Sequence, residues 1–263
     1  MKPECAVCLL RVYIEAAKVA NVSEAVQEKS AREVCFYLSK NFSLAGECAS
    51  MGTGLDKLVK KSVGNPDQYK EKKEQVNAFA RELAGKLKPK NVEEALRMAL
   101  AGNALDFAHL SEEEMRARVK KILEGKLDID ESEKAAKMIA EAKRIVYVLD
   151  NAGEIYFDKL LLELLKEKDV RIVVREKPVL NDATFEDLKK AKMQVLAREV
   201  VQYPAFGYDV PEEGLYIAKG MAAYVSLSEL DPAQIIYVLN VKCKPVADSL
   251  KVPVGASVIK AVG

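Results

Sequence analysis

Five consecutive apolar residues, Ile145-Val146-Tyr147-Val148-Leu149, stop abruptly at Asp150-Asn151-Ala152-Gly153-Glu154. A short run rich in β-branched side chains, bounded by a polar turn, reads as a strand buried on both faces. A helical pattern follows through Ile155, Leu161, Leu162 and Leu165. Val170-Arg171-Ile172-Val173-Val174 is a second strand, and Leu215-Tyr216-Ile217-Ala218 and Ile235-Ile236-Tyr237-Val238-Leu239 are two more. Strand, helix and strand at this spacing form βαβ units, which build a parallel sheet covered by helices on both faces.

The pattern changes near residue 143. Before it the chain is helical. Cys8, Val12, Ala16 and Val19 share one helical face, and Ser23 with Gln27 is placed to start a second helix. Ser50-Met51-Gly52-Thr53-Gly54 is expected to break the pattern, and Gly64-Asn65-Pro66-Asp67 to make a turn. Val76, Phe79, Ala80, Leu83 and Leu87 mark an amphipathic helix ended by Pro89; Asn91 caps the next, and Ser111 starts another with Glu112, Glu113 and Glu114 in its first turn. The expected build is α/β: a helical region over residues 1–142 beside an open, doubly wound sheet over 143–263.

Composition excludes several classes. At 49% hydrophobic residues, with 41 Lys+Arg against 40 Asp+Glu, the chain is neither disordered nor strongly charged. The balance gives no global reason to expect nucleic acid or an anionic membrane as partner. No run approaches the roughly 20 apolar residues of a membrane span, and Glu15 and Lys18 interrupt any leader-like core, so a cytoplasmic protein is expected. The five cysteines, Cys5, Cys8, Cys35, Cys48 and Cys243, are an odd set that fits a reducing compartment. Cys5-x-x-Cys8 reads either as two small half-buried residues on one helical turn or as a metal or redox pair.

Ligands of open parallel sheets bind beyond the carboxyl ends of the strands. Those ends carry Asp150 and Asn151, then Arg175 through Asn181-Asp182, then Lys219-Gly220, then Asn240, Lys242 and Cys243. Hard oxygen ligands suit Mg²⁺ or Mn²⁺, and two lysines suit a phosphate. Each residue also has a plainer reading: Asp150-Asn151 as a capped turn, Asp182 as the cap of the helix near Phe185, Lys219 and Lys242 as solvated strand ends. No phosphate-binding P-loop and no dinucleotide fingerprint is present. His109, the single histidine, reads as structural.

Asp150-Asn151-Ala152-Gly153-Glu154 followed by Asp158 resembles the signature of the damage-control phosphatases, the family also called domain of unknown function 89. The resemblance extends to Cys5-x-x-Cys8, found in the archaeal and bacterial branch. It includes Asn65-Pro66-Asp67-Gln68-Tyr69-Lys70, Gly102-Asn103-Ala104-Leu105-Asp106, Lys177-Pro178-x-x-Asn181-Asp182-Ala183-Thr184 and Lys242-Cys243-x-Pro245-Val246-Ala247. It implies a helical domain (1–142) packed on a three-layer α/β/α, Rossmann-like domain (143–263) that carries a metal site. It also implies a metal-dependent phosphatase, a phosphomonoester hydrolase of metabolite repair, acting on sugar phosphates or damaged cofactor intermediates.

One divalent ion (Mn, Ni, Co or Mg) would be held by Asp150, Asn151 and Asp182. Lys219 and Lys242 would lie near the phosphate. Asn103 and Asp106 would reach into the same cleft, with Asp106 or Glu154 orienting the attacking water. The partner expected is a small phosphorylated metabolite, with neither nucleic acid nor membrane; the sequence leaves oligomeric state open. In one respect the chain departs from the pattern. Where the family usually has Lys-Gly-x-x-Asn-Tyr-Glu, this chain has Ala223 and Val225 in place of the Asn and Glu. The alternative reading is therefore a catalytically weakened protein of the same fold that binds metal or a phosphate ligand.

Overall fold

The computed structural model describes residues 1–105, 111–203 and 213–263. Three helices, α1 (Glu4–Val19), α2 (Glu24–Asn41) and α3 (Cys48–Val63), pack on one another around Tyr13, Ala16, Val34, Leu55 and Val59, all essentially inaccessible. Helices α4 (Lys70–Ala84), α5 (Val92–Gly102), α6 (Glu112–Glu124) and α7 (Ser132–Glu141) follow. The Asn91 side chain accepts from the Glu94 amide at the start of α5, and Ser111 and Glu114 form a complete capping box on α6, as their spacing predicts.

The Gly-containing stretch at residues 50–54 behaves differently from its expectation, because it lies inside α3. Close packing is the reason. A Cβ on Gly54 would stand 1.9 Å from the Tyr37 hydroxyl oxygen, and the Gly52 carbonyl accepts a 2.7 Å hydrogen bond from Tyr13. The glycines let α2 and α1 approach α3 rather than ending it. Ser23 stands at the start of α2 with no side-chain capping bond, and the Gln27 amide instead donates to the Val22 carbonyl.

Among the described residues the sheet has seven strands. The four expected from apolar runs are β2 (Arg144–Val148), β3 (Asp169–Arg175), β5 (Leu215–Lys219) and β6 (Ile235–Asn240). Three more are β1 (Ile129–Asp130), β4 (Glu199–Tyr203) and β7 (Ser257–Val262). Their order is β1-β7-β6-β5-β2-β3-β4, parallel throughout except for the antiparallel pair β6–β7. Helices α8 (Ile155–Leu164), α9 (Phe185–Ala191), α10 (Gly220–Leu230) and α11 (Lys244–Leu250) connect the strands.

Two apolar layers cover the sheet. Ile145, Tyr147, Leu149, Ile172 and Ile217 face α4–α9, and Val146, Val148, Ala218 and Leu239 face α10 and α11. Alternate residues of β2 are therefore buried in opposite layers, which is why its run is apolar without a break. The helical N-terminal region thus adjoins a doubly wound, mainly parallel sheet in three layers. Among the described residues no helix is long and apolar enough to cross a membrane.

From β2 the chain steps outward to β3 and β4, then returns to β5 on the other side of β2. The strand order reverses between β2 and β5. At such a switch point the loops leaving two adjacent strands diverge and open a crevice at their carboxyl ends.

Candidate active site

That crevice is where the signature residues gather. Asp150 and Asn151 leave β2, and Lys219 ends β5 beside it. Asn103 caps the C-terminus of α5, and Glu154 and Asp158 lie one turn apart at the start of α8. Asp182 arrives from the β3–α9 connection, where Asn151 and Asp182 form an isolated antiparallel bridge. The Ala183 amide donates to the Asp150 carbonyl (2.8 Å) and the Ala152 amide to the Asn181 carbonyl (2.9 Å), so two strand-end loops are locked side by side.

Glu154 is the hub. Its Oε1 accepts from Asn151 Nδ2 (2.6 Å) and Asn103 Nδ2 (2.8 Å), and its Oε2 from Lys219 Nζ (3.1 Å). Both amides also donate to Asp150 Oδ2, Asn151 at 3.0 Å and Asn103 at 3.1 Å. The Asn103 side-chain oxygen accepts from the Asn240 amide at 2.7 Å, which ties α5 to the end of β6. Glu154 and Lys219 are wholly inaccessible, and Asn103 and Asn151 are buried. Asp150 is half-buried at the rim and Lys242 is exposed.

Gly220 follows Lys219 with φ +73°, a left-handed conformation that glycine adopts without a Cβ clash. A Cβ there would also lie 1.9 Å from Asp150 Oδ2. The Lys219-Gly220 pair therefore makes room for the Asp150 carboxylate beside the start of α10.

Charge is unevenly distributed here. Among the described residues, four carboxylates (Asp150, Glu154, Asp158 and Asp182) stand against the two buried cations bonded to them, Arg175 and Lys219, a formal excess of two negative charges before the longer-range Lys73 and Lys242 are counted. Desolvation, then the Glu154 and Asp182 charges, push the Asp150 carboxyl well above the ordinary carboxylate range, with Lys242 and Lys219 pulling the other way. Desolvation also raises Asp182, against the Arg175 guanidinium whose Nε donates to its Oδ2 at 2.8 Å. Burial works against the charge of Lys219, but Asp158 and Glu154 outweigh it and hold the ammonium above its usual range.

Of the residues expected from sequence, Asn103, Asp150, Asn151, Glu154 and Lys219 are joined by direct hydrogen bonds. Asp182 is joined to them through the backbone bridge to Asn151, and Lys242 acts on Asp150 through its charge. Asp106 and His109 lie outside the described residues. Asp182 does not cap α9; Thr184 does, in a capping box with Asp187. Ala223 is fully buried in the apolar layer beneath α10, and Val225 packs partly buried against the same layer. Cys5 and Cys8 are half-buried on α1, and among the described residues no three His, Cys, Asp or Glu side chains are grouped closely enough to hold a metal on their own. Sequence reading gave no role to Arg175 or Tyr147. The available signal was Tyr147 inside the otherwise aliphatic run Ile145–Leu149, and Arg175 directly after Ile172-Val173-Val174.

Comparison with known proteins agrees with this arrangement. The family model described as damage-control phosphatase ARMT1-like domain matches residues 1–258. An uncharacterized protein of Methanocaldococcus jannaschii is 33% identical, over 98% of this chain and 94% of its own length. A damage-control phosphatase of Pyrococcus horikoshii is 31% identical over 97% of this chain and 96% of its own, and one of Archaeoglobus fulgidus is 32% identical over 100% and 99%. The crystal structure of a duf89 family protein of P. horikoshii superposes with a TM-score of 0.90 at 30% identity, covering 100% of this chain and 99% of that one.

Proposed function

The chain belongs to the damage-control phosphatase ARMT1-like family, and from that premise we propose that it is a phosphatase of metabolite repair, a metal-dependent hydrolase of small phosphomonoesters. The observation that carries the reading is the excess of carboxylate at the switch point, capped by two amides and rimmed by the exposed Lys242.

The donor set fits one hard divalent cation. Asp150, Asn151 and Asp182 offer carboxylate and amide oxygens, the class preferred by Mg²⁺ and Mn²⁺ and accepted by Co²⁺ and Ni²⁺. With Nδ2 of Asn151 committed to Asp150 and Glu154, its amide oxygen is the atom available to a cation. The charges that raise Asp150 are those a cation would compensate. When bound, such an ion supplies charge withdrawal from a phosphate oxygen and lowers the pKa of a water.

The chain's own residues do the rest. Lys242, exposed and electrostatically coupled to Asp150, binds the incoming phosphate and offsets charge on its oxygens as the bond to the leaving group lengthens. Glu154, with three N–H donors on its two oxygens, holds Asn103 and Asn151 in place. Lys219 acts from behind, its Nζ on Glu154 and Asp158. The water-orienting carboxylate is Asp106 or Glu154, as the sequence motif suggests. The substrate is a sugar phosphate or a damaged cofactor intermediate.

The test is phosphate release from an aryl phosphate by chelator-stripped protein resupplied with each divalent ion in turn, with Asp150→Ala as control. Metal-restored release that disappears in the variant is expected. If no ion restores release while calorimetry shows the wild type binding one metal and Asp150→Ala none, the weakened, ligand-binding alternative takes its place. Absence of metal binding in both proteins would remove the site.

A further inference from the structure

Behind Glu154 runs a second line of polar groups, deeper than any the proposed chemistry touches. Tyr147 is on β2 and Lys219 on β5, and the register pairs Tyr147 with Ile217. Lys219 follows Ile217 by two residues, so both side chains leave the same face of the sheet, toward α8. Asp158 lies one helical turn beyond Glu154 and meets them there. The Tyr147 hydroxyl donates to Asp158 Oδ1 at 2.8 Å, and Lys219 Nζ donates to the same oxygen at 2.7 Å. The same Nζ reaches Glu154 Oε2 at 3.1 Å. All four residues are fully inaccessible.

We infer that Tyr147 and Asp158 are positioning residues: acting through the Lys219 ammonium, they fix the Glu154 carboxylate and, with it, the two amides that hold Asp150. This inference rests on the phosphatase reading for its kinetic consequences. A purely structural role does not account for the arrangement. Tyr147 and Asp158 stand in a layer of aliphatic, Phe and Met side chains, where apolar replacements of a buried ion pair are often as stable or more so. Among the described residues Asp158 Oδ2 is buried with no hydrogen-bond partner, a cost that packing alone gives no reason to carry. What the line does achieve is geometric. Both donors converge on one oxygen, which orients the carboxylate; that carboxylate orients Lys219, and Lys219 leaves Glu154 Oε1 turned toward Asn103 and Asn151.

The experiment compares Tyr147→Phe and Asp158→Asn with wild type, using p-nitrophenyl phosphate at saturating metal, and with Leu161→Ala, a core residue of α8 away from the line, as a stability control. Tyr147→Phe should lower kcat about tenfold with KM within about twofold, and Asp158→Asn about a hundredfold. Leu161→Ala should lower Tm while leaving kcat unchanged. Crystal structures of the two line variants should show Glu154 displaced from at least one amide. Unchanged kcat in Tyr147→Phe, or Glu154 still accepting from both amides in each variant that folds, overturns the inference. If the wild type releases no phosphate with any ion, the phosphatase reading fails on its own, and the position of Glu154 in the variant structures still decides the positioning role.

Discussion

Replacing Gly220 with alanine tests the geometry of the site most directly, because two separable penalties meet at that residue. The backbone has φ +73°, where an L side chain costs about 1–2 kcal/mol. The new Cβ would also stand 1.9 Å from Asp150 Oδ2 and 2.3 Å from its Cγ. Restoring ordinary contact, about 3.5 Å, moves the carboxylate by roughly 1.5 Å. That oxygen is the one that accepts from Asn103 and Asn151 at 3.1 and 3.0 Å, so both bonds are lost or badly stretched, at about 1–3 kcal/mol together. The total is about 2–5 kcal/mol, a fall in Tm of roughly 4–20 °C at about 2–4 °C per kcal/mol for a chain of this size. Gly64 supplies the comparison. It ends α3 at φ +68° with nothing within 4 Å of its hypothetical Cβ, so Gly64→Ala carries the backbone penalty alone, about 1–2 kcal/mol. Thermal and urea unfolding of both variants, with metal-dependent phosphate release measured alongside, separates the two costs. Gly220→Ala should be the less stable by about 2 kcal/mol and lose at least a hundredfold in turnover, whereas Gly64→Ala should keep its activity. Equal destabilisation of the two, with activity retained in both, would refute the close approach of Gly220 to Asp150.

Two further outcomes follow from burial. Desolvation, against the pull of Lys219, pushes Asp158 from its ordinary 3.8 up to about 6 in the folded chain. Between these values the native state holds the proton that the unfolded state has released, so Asp158 makes stability fall as pH rises from about 4 to 6, by at most about 3 kcal/mol. Asp158→Asn should flatten that fall in urea unfolding of metal-free protein, and parallel curves for variant and wild type would count against the burial of this charge. Ala223→Asn, which restores the residue usual in the family, places an amide in a layer with Val146, Val148 and Leu239 and should cost about 2–3 kcal/mol without raising phosphate release. A gain in turnover would show that this position faces the cleft instead.

The central strands were legible because each is buried on both faces, and an unbroken β-branched run such as Ile145–Leu149 has few other uses. The strands that escaped lie toward the sheet's edges. β4, Glu199–Tyr203, is largely half-exposed, and β1 is two residues long, so neither leaves an apolar run to read. β7 alternates more weakly and pairs antiparallel with β6 after the chain returns through α11. At the site, sequence identified which polar residues stand at strand ends, because the fold rule acts on position alone. It did not identify their partners. Lys219, expected beside a phosphate, has its Nζ on Glu154 and Asp158, because the register that pairs Tyr147 with Ile217 turns it to the α8 face of the sheet. That register is set by tertiary pairing across strands some seventy residues apart in sequence, and no local pattern encodes it. The signature Asp150 to Asp158 therefore combines two kinds of residue that a motif cannot tell apart. Asp150 and Asn151 stand at the mouth of the crevice, and Asp158 stands beneath it; side-chain hydrogen bonds through Lys219 and Glu154 connect the second to the first.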